Sequence, residues 1–425
     1  MAYPTGASRG CTPGRVLFMS TLAFTVCFAV WLFYGALIKS LTKSGLYDFS
    51  ASEVGLLLAA PILTGSVLRL PVGVLTDRYG GRPVFVVTLV VSALGVASVA
   101  LANGFWSFLL AGLCFGVSGA GFAVGVAFTA AWFTQDKQGT ALGIFGAGNA
   151  GAGVTLTVVP GLVEWATDGG ARPEAWRQVP LIYAAVVLLT ALAFHWLTEN
   201  RVADAHTHKT LAERMAPLKN VQVWRFGLYY FLVFGAFVGL SGWLVKYYVD
   251  VYALSVATAG FLAACFSVPS GVIRAIGGYL SDKMGARAVM YWVLGTCAVG
   301  TLALCVPLTV VPFTILVVLV GISMGIGKAA VYKHIPVYFP REVGVVGGMV
   351  GVIGGLGGFA CPLVFGGLLE LSRSPSAPSG HWTTAWVFLA LVSLVSLGWM
   401  HLAIRRIEMR RVRETLTVDG AVPAE

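Results

Sequence analysis

Apolar residues run on along this chain; they do not alternate with polar ones. Twelve stretches are long and apolar enough to cross a bilayer as helices, each needing about 20 residues. They are 16–38, 52–76, 83–103, 106–132, 138–163, 178–198, 223–249, 257–281, 288–309, 312–337, 342–370 and 383–405. One segment between the sixth and seventh is too polar to span: "TENRVADAHTHKTLAERMAPLKN", from Thr198 to Asn220. The pattern predicts an all-α membrane protein with twelve transmembrane helices in two six-helix halves. The N-terminal half is 1–198, the linker 199–222, the C-terminal half 223–405, and a charged, frayed tail 406–425. The first run is too long for a signal-peptide core, so it reads as a span without cleavage.

Composition supports a bilayer environment. Of the residues, 57% are hydrophobic and only 11% charged, against about a quarter charged in soluble domains. The 53 glycines suit membrane helices whose backbones pack closely. The net charge of +10 is spread over short loops and the tail, with no nucleic-acid-binding motif around it. Six of the seven cysteines sit in apolar runs without metal-ligand spacing and read as small buried hydrophobes. No metal or cofactor is expected. No nucleophile, acid/base pair or metal set lies within the spans, which argues against an enzyme.

Basic residues set the orientation. With both termini inside, the outer loops hold only Lys39, Lys43, Arg172, Arg177, Lys246 and Arg373. The remaining loop and tail cations, including Arg78, Arg82, Lys283 and Arg287, fall on the cytoplasmic side. Four cations stay inside apolar runs: Arg69, Arg274, Lys328 and Lys333.

The chain repeats itself. "RLPVGVLTDRYGGR" begins at Arg69 and "RAIGGYLSDKMGAR" at Arg274, 205 residues later. "GIFGAGNAGAG" from Gly143 and "GMVGVIGGLGG" from Gly348 show the same offset. Two halves duplicated in one orientation are the arrangement of parallel-repeat secondary transporters. In that setting Arg69 and Arg274 occupy equivalent places and face each other across the centre, related by a pseudo-two-fold axis. A single arginine near a span end can snorkel to the headgroups. A symmetric pair facing inward would repel, and an anion between them would relieve the repulsion. Asp77, Asp136, Asp282 and Glu342 lie in loops, and Glu164 and Glu370 near outer ends. The absence of a mid-span carboxylate tells against a cation carrier.

The loop "GVLTDRYGGR" resembles the signature between spans 2 and 3 of the major facilitator superfamily. "FGAGNAGAG" (145–153) and "GGLGGFACPLVFG" (354–366) resemble the two nitrate signatures of its nitrate/nitrite porter branch. The resemblance implies the major facilitator fold, nitrate and nitrite as substrates, a bacterial inner membrane, alternating access and a monomer. It implies substrate contact by Arg69 and Arg274, and by Asn149 within the first signature, although an intramembrane Asn also serves as helix glue. Tyr230 and Phe234, one turn apart in span 7, align with family positions lining the anion site. Trp31, Phe33 and Tyr34 are plausible neighbours. The signature glycines Gly146, Gly148, Gly151, Gly153, Gly351, Gly354, Gly355, Gly357 and Gly358 are expected to act by close packing rather than by touching substrate. Span 10 reads "GIGKAAVYKHIP", where a neutral stretch is expected of the antiporter branch, and so resembles the nitrate/proton symporters. Lys328 is the candidate proton carrier, or else adds only positive field for the anion. Asp77, Arg78, Arg82, Asp282, Lys283 and Arg287 are expected to latch the cytoplasmic side by charge pairing. A passive anion channel would share a basic pore, but duplicated latch loops suit a carrier better.

Overall fold

The computed structural model describes residues 11–49, 51–201, 211–374 and 380–418. The centre of the linker and the end of the tail lie outside the described residues. Among the described residues twelve helices are long and apolar enough to span a membrane. They are α1 (Pro13–Trp31), α2 (Glu53–Tyr79), α3 (Gly81–Leu101), α4 (Phe105–Ala130), α5 (Gln138–Ala166) and α6 (Pro173–Leu197). The second half holds α7 (Val221–Ser241), α8 (Thr258–Met284), α9 (Ala286–Ala303), α10 (Val310–Tyr338), α11 (Val343–Leu371) and α12 (Thr383–Arg406). This is the major facilitator fold, two six-helix halves in one chain.

Helix ends follow local chemistry. Thr12 caps α1 by accepting from the Arg15 amide, with Pro13 in the first turn. Asn220 and Ser255 cap the helices that begin at Val221 and Val256. Gly80 and Gly285, at equivalent places in the repeat, take φ of 85° and 84° between α2 and α3 and between α8 and α9. A positive φ there favours glycine and turns the chain sharply between spans. The last helix does not fray after Arg405: it continues to Val418. Residues 399–419 contain neither Gly nor Pro, so nothing in the sequence stops it.

Several spans are irregular where they approach the centre. α2 is interrupted at Leu68, immediately before Arg69, because Pro71 has no N–H for the Val67 carbonyl. α4 tightens over Gly116–Ala120 and α5 over Ala147–Ala150. α7 widens into a π-helical turn over Phe231–Ala236, a distortion often found at functional positions.

The halves approach most closely on the face that carries the repeated loops. There the second part of α2 packs on the first part of α11, and the first part of α5 packs on α8. The glycines of the repeat allow this. A methyl group on Gly73 would overlap the Gly344 carbonyl, and one on Gly278 the Gly139 carbonyl.

Candidate functional site

The two repeated arginines are buried in the middle of the molecule, each 1% exposed. Each lies one helical turn before the glycine that lets its helix touch the other half. Arg69 donates Nε–H to the Gly119 carbonyl at 3.1 Å, in its own half. It donates Nη1–H to the Gly351 carbonyl at 2.7 Å, in the other half. The distorted stretch of α4 is what presents the Gly119 carbonyl sideways. Arg274 differs: its Nε and Nη1 are buried and, among the described residues, have no hydrogen-bond partner, while the Tyr230 hydroxyl lies within hydrogen-bonding reach of the guanidinium.

The glycine-rich segments make recesses for these side chains. A methyl group on Gly146 would overlap the Arg274 guanidinium, and one on Gly351 would sit 2.9 Å from Arg69 Cδ. On Gly143 it would lie 2.8 Å from the Arg274 carbonyl, and on Gly348 2.5 Å from that of Arg69. Each arginine therefore leans into the glycine face of the opposite half, in the same register. Gly354 gives room to the Tyr230 ring and Gly355 to Ser66, while Gly357 lies against Gly235 and Gly358 against Val238. Gly148 and Gly151 press on α1 at Thr21, Phe24 and Thr25. Gly153 has nothing within 4 Å.

Aromatic rings pack between the cations. The Phe122 ring lies 5.5 Å from Arg69 Cζ and 5.2 Å from Arg274 Cζ, so it touches both guanidinium groups. Tyr230 and Phe234 are stacked at 4.9 Å with planes 2° apart, and Phe122 lies parallel to Tyr230 within 7° at 6.3 Å. Phe234 is also 5.7 Å from Arg69 Cζ, and Tyr230 is an electrostatic neighbour of both arginines. Tyr332 stands edge-on to Phe122 and to Tyr230, each at 4.8 Å, and donates to the Gly347 carbonyl at 3.1 Å. Trp31 lies 5.1 Å from Arg69 Cζ, its indole N–H held by the Pro61 carbonyl at 2.7 Å. The rings of Phe122, Tyr230 and Phe234 thus lie nearly parallel, with both guanidinium groups against Phe122.

Phe122 and Tyr332 escaped the sequence reading because one Phe in an apolar span carries no signal of its own. Their proximity comes only from folding. Conversely, Phe33 and Tyr34 do not belong to the site. Helix α1 breaks at Leu32, and beyond it Phe33 packs on Tyr183 while the Tyr34 hydroxyl donates to the Phe108 carbonyl at 2.6 Å. Asn149 is half-buried on the tightened turn of α5, three residues beyond Gly146, and its amide makes no hydrogen bond among the described residues.

Lys328 on α10 adds a third buried cation. Its ammonium donates to Ser270 Oγ at 3.1 Å and lies 3.1 Å from the Phe237 ring centroid, with Arg274 as its charged neighbour. Among the described residues none of Arg69, Arg274 and Lys328 has an ion-pair partner. The centre therefore holds three cations in an apolar medium with no compensating acid, an arrangement that favours an anion.

The repeated acids close one side of this centre. Asp77 accepts from the Gly344 and Val345 amides, both at 2.8 Å. Asp282 accepts from the Gly139 amide at 2.8 Å, the Thr140 amide at 2.6 Å and the Thr140 hydroxyl at 2.7 Å. Each carboxylate thus caps the first turn of a helix belonging to the other half, α11 or α5, where orphan N–H groups and the helix dipole attract negative charge. Asp282 is also paired with Lys333 at 2.5 Å, and Lys333 reaches the Gln135 carbonyl as well. The loop cations expected to pair across the halves make their described contacts nearer home. Arg78 packs on Tyr79, Arg82 on His195, Lys283 on Tyr279 and Arg287 on Tyr338, all within their own half.

Twelve spans, two matched halves and a buried cationic centre behind a symmetric closure define a membrane transporter, not an enzyme. The family profile of the Major Facilitator Superfamily matches residues 16–259 and 244–417. The chain is 41% identical to a probable nitrate/nitrite antiporter of Thermus thermophilus, over 96% of both chains. It is 29% identical to a nitrite extrusion protein of Bacillus subtilis over 91% of this chain and 94% of that one. It is 31% identical to a probable nitrate transporter of Staphylococcus carnosus, over 91% and 95%. In fold it resembles the transporter FucP in its outward conformation, with a TM-score of 0.73 and 17% identity over 91% of this chain and 99% of that one. The chain belongs to the Major Facilitator Superfamily, in its nitrate/nitrite porter branch.

Proposed function

We propose that the protein carries nitrate, with nitrite as a second substrate, by alternating access coupled to protons. The observation that carries the anion reading is Arg274: a buried guanidinium with two unpartnered N–H groups. Nitrate and nitrite are small, flat and able to accept paired bonds from such a fork. Arg69 and Arg274 hold the anion from the two halves, the rings of Phe122, Tyr230 and Phe234 lie along its plane, and Asn149 supplies a further donor. Binding draws the halves together because the anion offsets the repulsion of the two cations.

The closed face is the cytoplasmic one, where the basic loops and both termini lie, in a bacterial inner membrane. The Asp77 and Asp282 caps hold it shut in the state described. Opening breaks both caps as units 1–198 and 223–405 rock about the centre, each half acting as a rigid body of a monomer. The residue supporting proton coupling is Lys328, a titratable group buried beside Arg274. Its deprotonation lowers the central charge and lets the empty carrier return. Exchange of nitrate for nitrite is the second reading, favoured by the name of the Thermus relative. There, repulsion between the arginines blocks the empty carrier, so every crossing needs an anion.

Nitrate uptake into proteoliposomes separates the two. Accumulation driven by an inward proton gradient alone supports symport. Uptake that requires internal nitrite and ignores the gradient replaces it by exchange. Uptake under neither condition removes the nitrate reading.

A further inference from the structure

A second cationic cluster lies away from the centre, inside the C-terminal half. Arg225 near the start of α7, Arg287 at the start of α9 and His334 near the end of α10 line one small cavity, closed on its apolar side by Met400 and Ile404 of α12. It opens toward the face of the repeated loops. Its volume is about 10 Å³, room for one water-sized group. No lining residue is acidic.

The walls are built for an anion. Arg225 is 8% and His334 4% exposed, so a guanidinium and an imidazole sit largely out of water. Tyr229 also lines the cavity; it is 1% exposed and its hydroxyl has no partner. Arg287 donates to the Tyr338 hydroxyl at 2.7 Å, which holds its guanidinium in place and leaves the Tyr338 proton to be donated onward. His334 Nδ1 faces the Ala330 carbonyl at 2.8 Å, and its ring lies between Phe226 and Tyr338. Two fixed guanidinium groups and an unpartnered buried hydroxyl around a void are costly when empty and favourable around a negative charge. The size of the void favours a single monatomic anion such as a halide over a phosphate ester or a lipid headgroup.

We propose that this cavity is a second anion site, independent of the central pair, taking one small monovalent anion. It also sits beside the closure between the halves. His334 directly follows Lys333, whose ammonium holds Asp282. An anion that binds Arg225 and Arg287 and also accepts the Tyr338 proton therefore ties down the end of α10 that carries the Asp282 partner.

Bromide tests this directly, on the full chain. Crystals soaked in bromide are expected to show an anomalous peak within the cavity, lost in Arg225→Gln and weakened in Tyr229→Phe. In detergent solution, tracer bromide binding should lose its cavity component in Arg225→Gln, with its dissociation constant raised about ten-fold in Tyr229→Phe. An empty cavity in soaked crystals overturns the proposal, whatever the central site holds. So does a peak that survives Arg225→Gln, or density there that proves to be lipid phosphate. If the central site takes no bromide but the cavity does, the second site stands and the central reading is the one in difficulty.

Discussion

Replacing Arg274 by Gln separates two effects that usually travel together. In the empty protein the Arg274 guanidinium is a buried cation with two unpartnered N–H groups, flanked by Arg69 and Lys328. Each unsatisfied buried donor costs about 1–3 kcal/mol, and like charges add to that. Gln, two atoms shorter, removes the charge and the unpartnered donors together, so the ligand-free protein should become more stable. Anion binding should suffer in the opposite direction. A unit charge about 4 Å from an anion contributes about 4 kcal/mol at an effective dielectric constant of 20, and two charge-assisted bonds are lost as well. Even half of that sum corresponds to a loss of at least about a hundred-fold in nitrate affinity. The assays are thermal unfolding without nitrate and nitrate uptake in proteoliposomes. A variant that melts earlier than the wild type, or one whose KM for nitrate changes less than about three-fold, would refute the reasoning. Either result would mean that Arg274 is a structural cation with a partner, and that the centre is not an anion trap.

Other outcomes follow from the same geometry. Gly146→Ala places a methyl group on the Arg274 guanidinium, so transport should fall at least about ten-fold while Gly153→Ala, in open space, stays near wild type; equal effects would show that the recess does not matter. Asp282→Asn loses charge-assisted caps on α5 and leaves Lys333 without its anion. It should open the repeat-loop face, seen as faster labelling of the near-isosteric Ser281→Cys, a position 1% exposed in the closed state, by about ten-fold or more. Asp77→Asn should do the same at α11, and unchanged labelling in both would remove the closure role. Lys328→Met should abolish gradient-driven accumulation while nitrate exchange persists; full accumulation in this variant would leave Lys328 with a purely electrostatic role.

How much of this was legible in the sequence depends on the kind of signal. Twelve spans were legible because a bilayer imposes a length and an apolarity that no packing detail alters. The two halves were legible because the same frame returns 205 residues later, with Arg69 and Arg274, Gly73 and Gly278, Asp77 and Asp282 in register. Charge inside an apolar run marked the central cations, since such residues are rarely kept there without use. What the sequence could not determine is which side chains meet. Phe122 lies against both arginines, a meeting that neither the repeat nor the periodicity of α4 announces. Asp77 and Asp282 find the N-termini of helices in the opposite half, partners that no local sequence pattern announces. Phe33 and Tyr34 turn from the centre because α1 breaks one residue after Trp31. Periodicity and repetition are properties of the chain and survive without its fold. Partnership across the two halves is set by where twelve helices cross, and only the tertiary structure decides that.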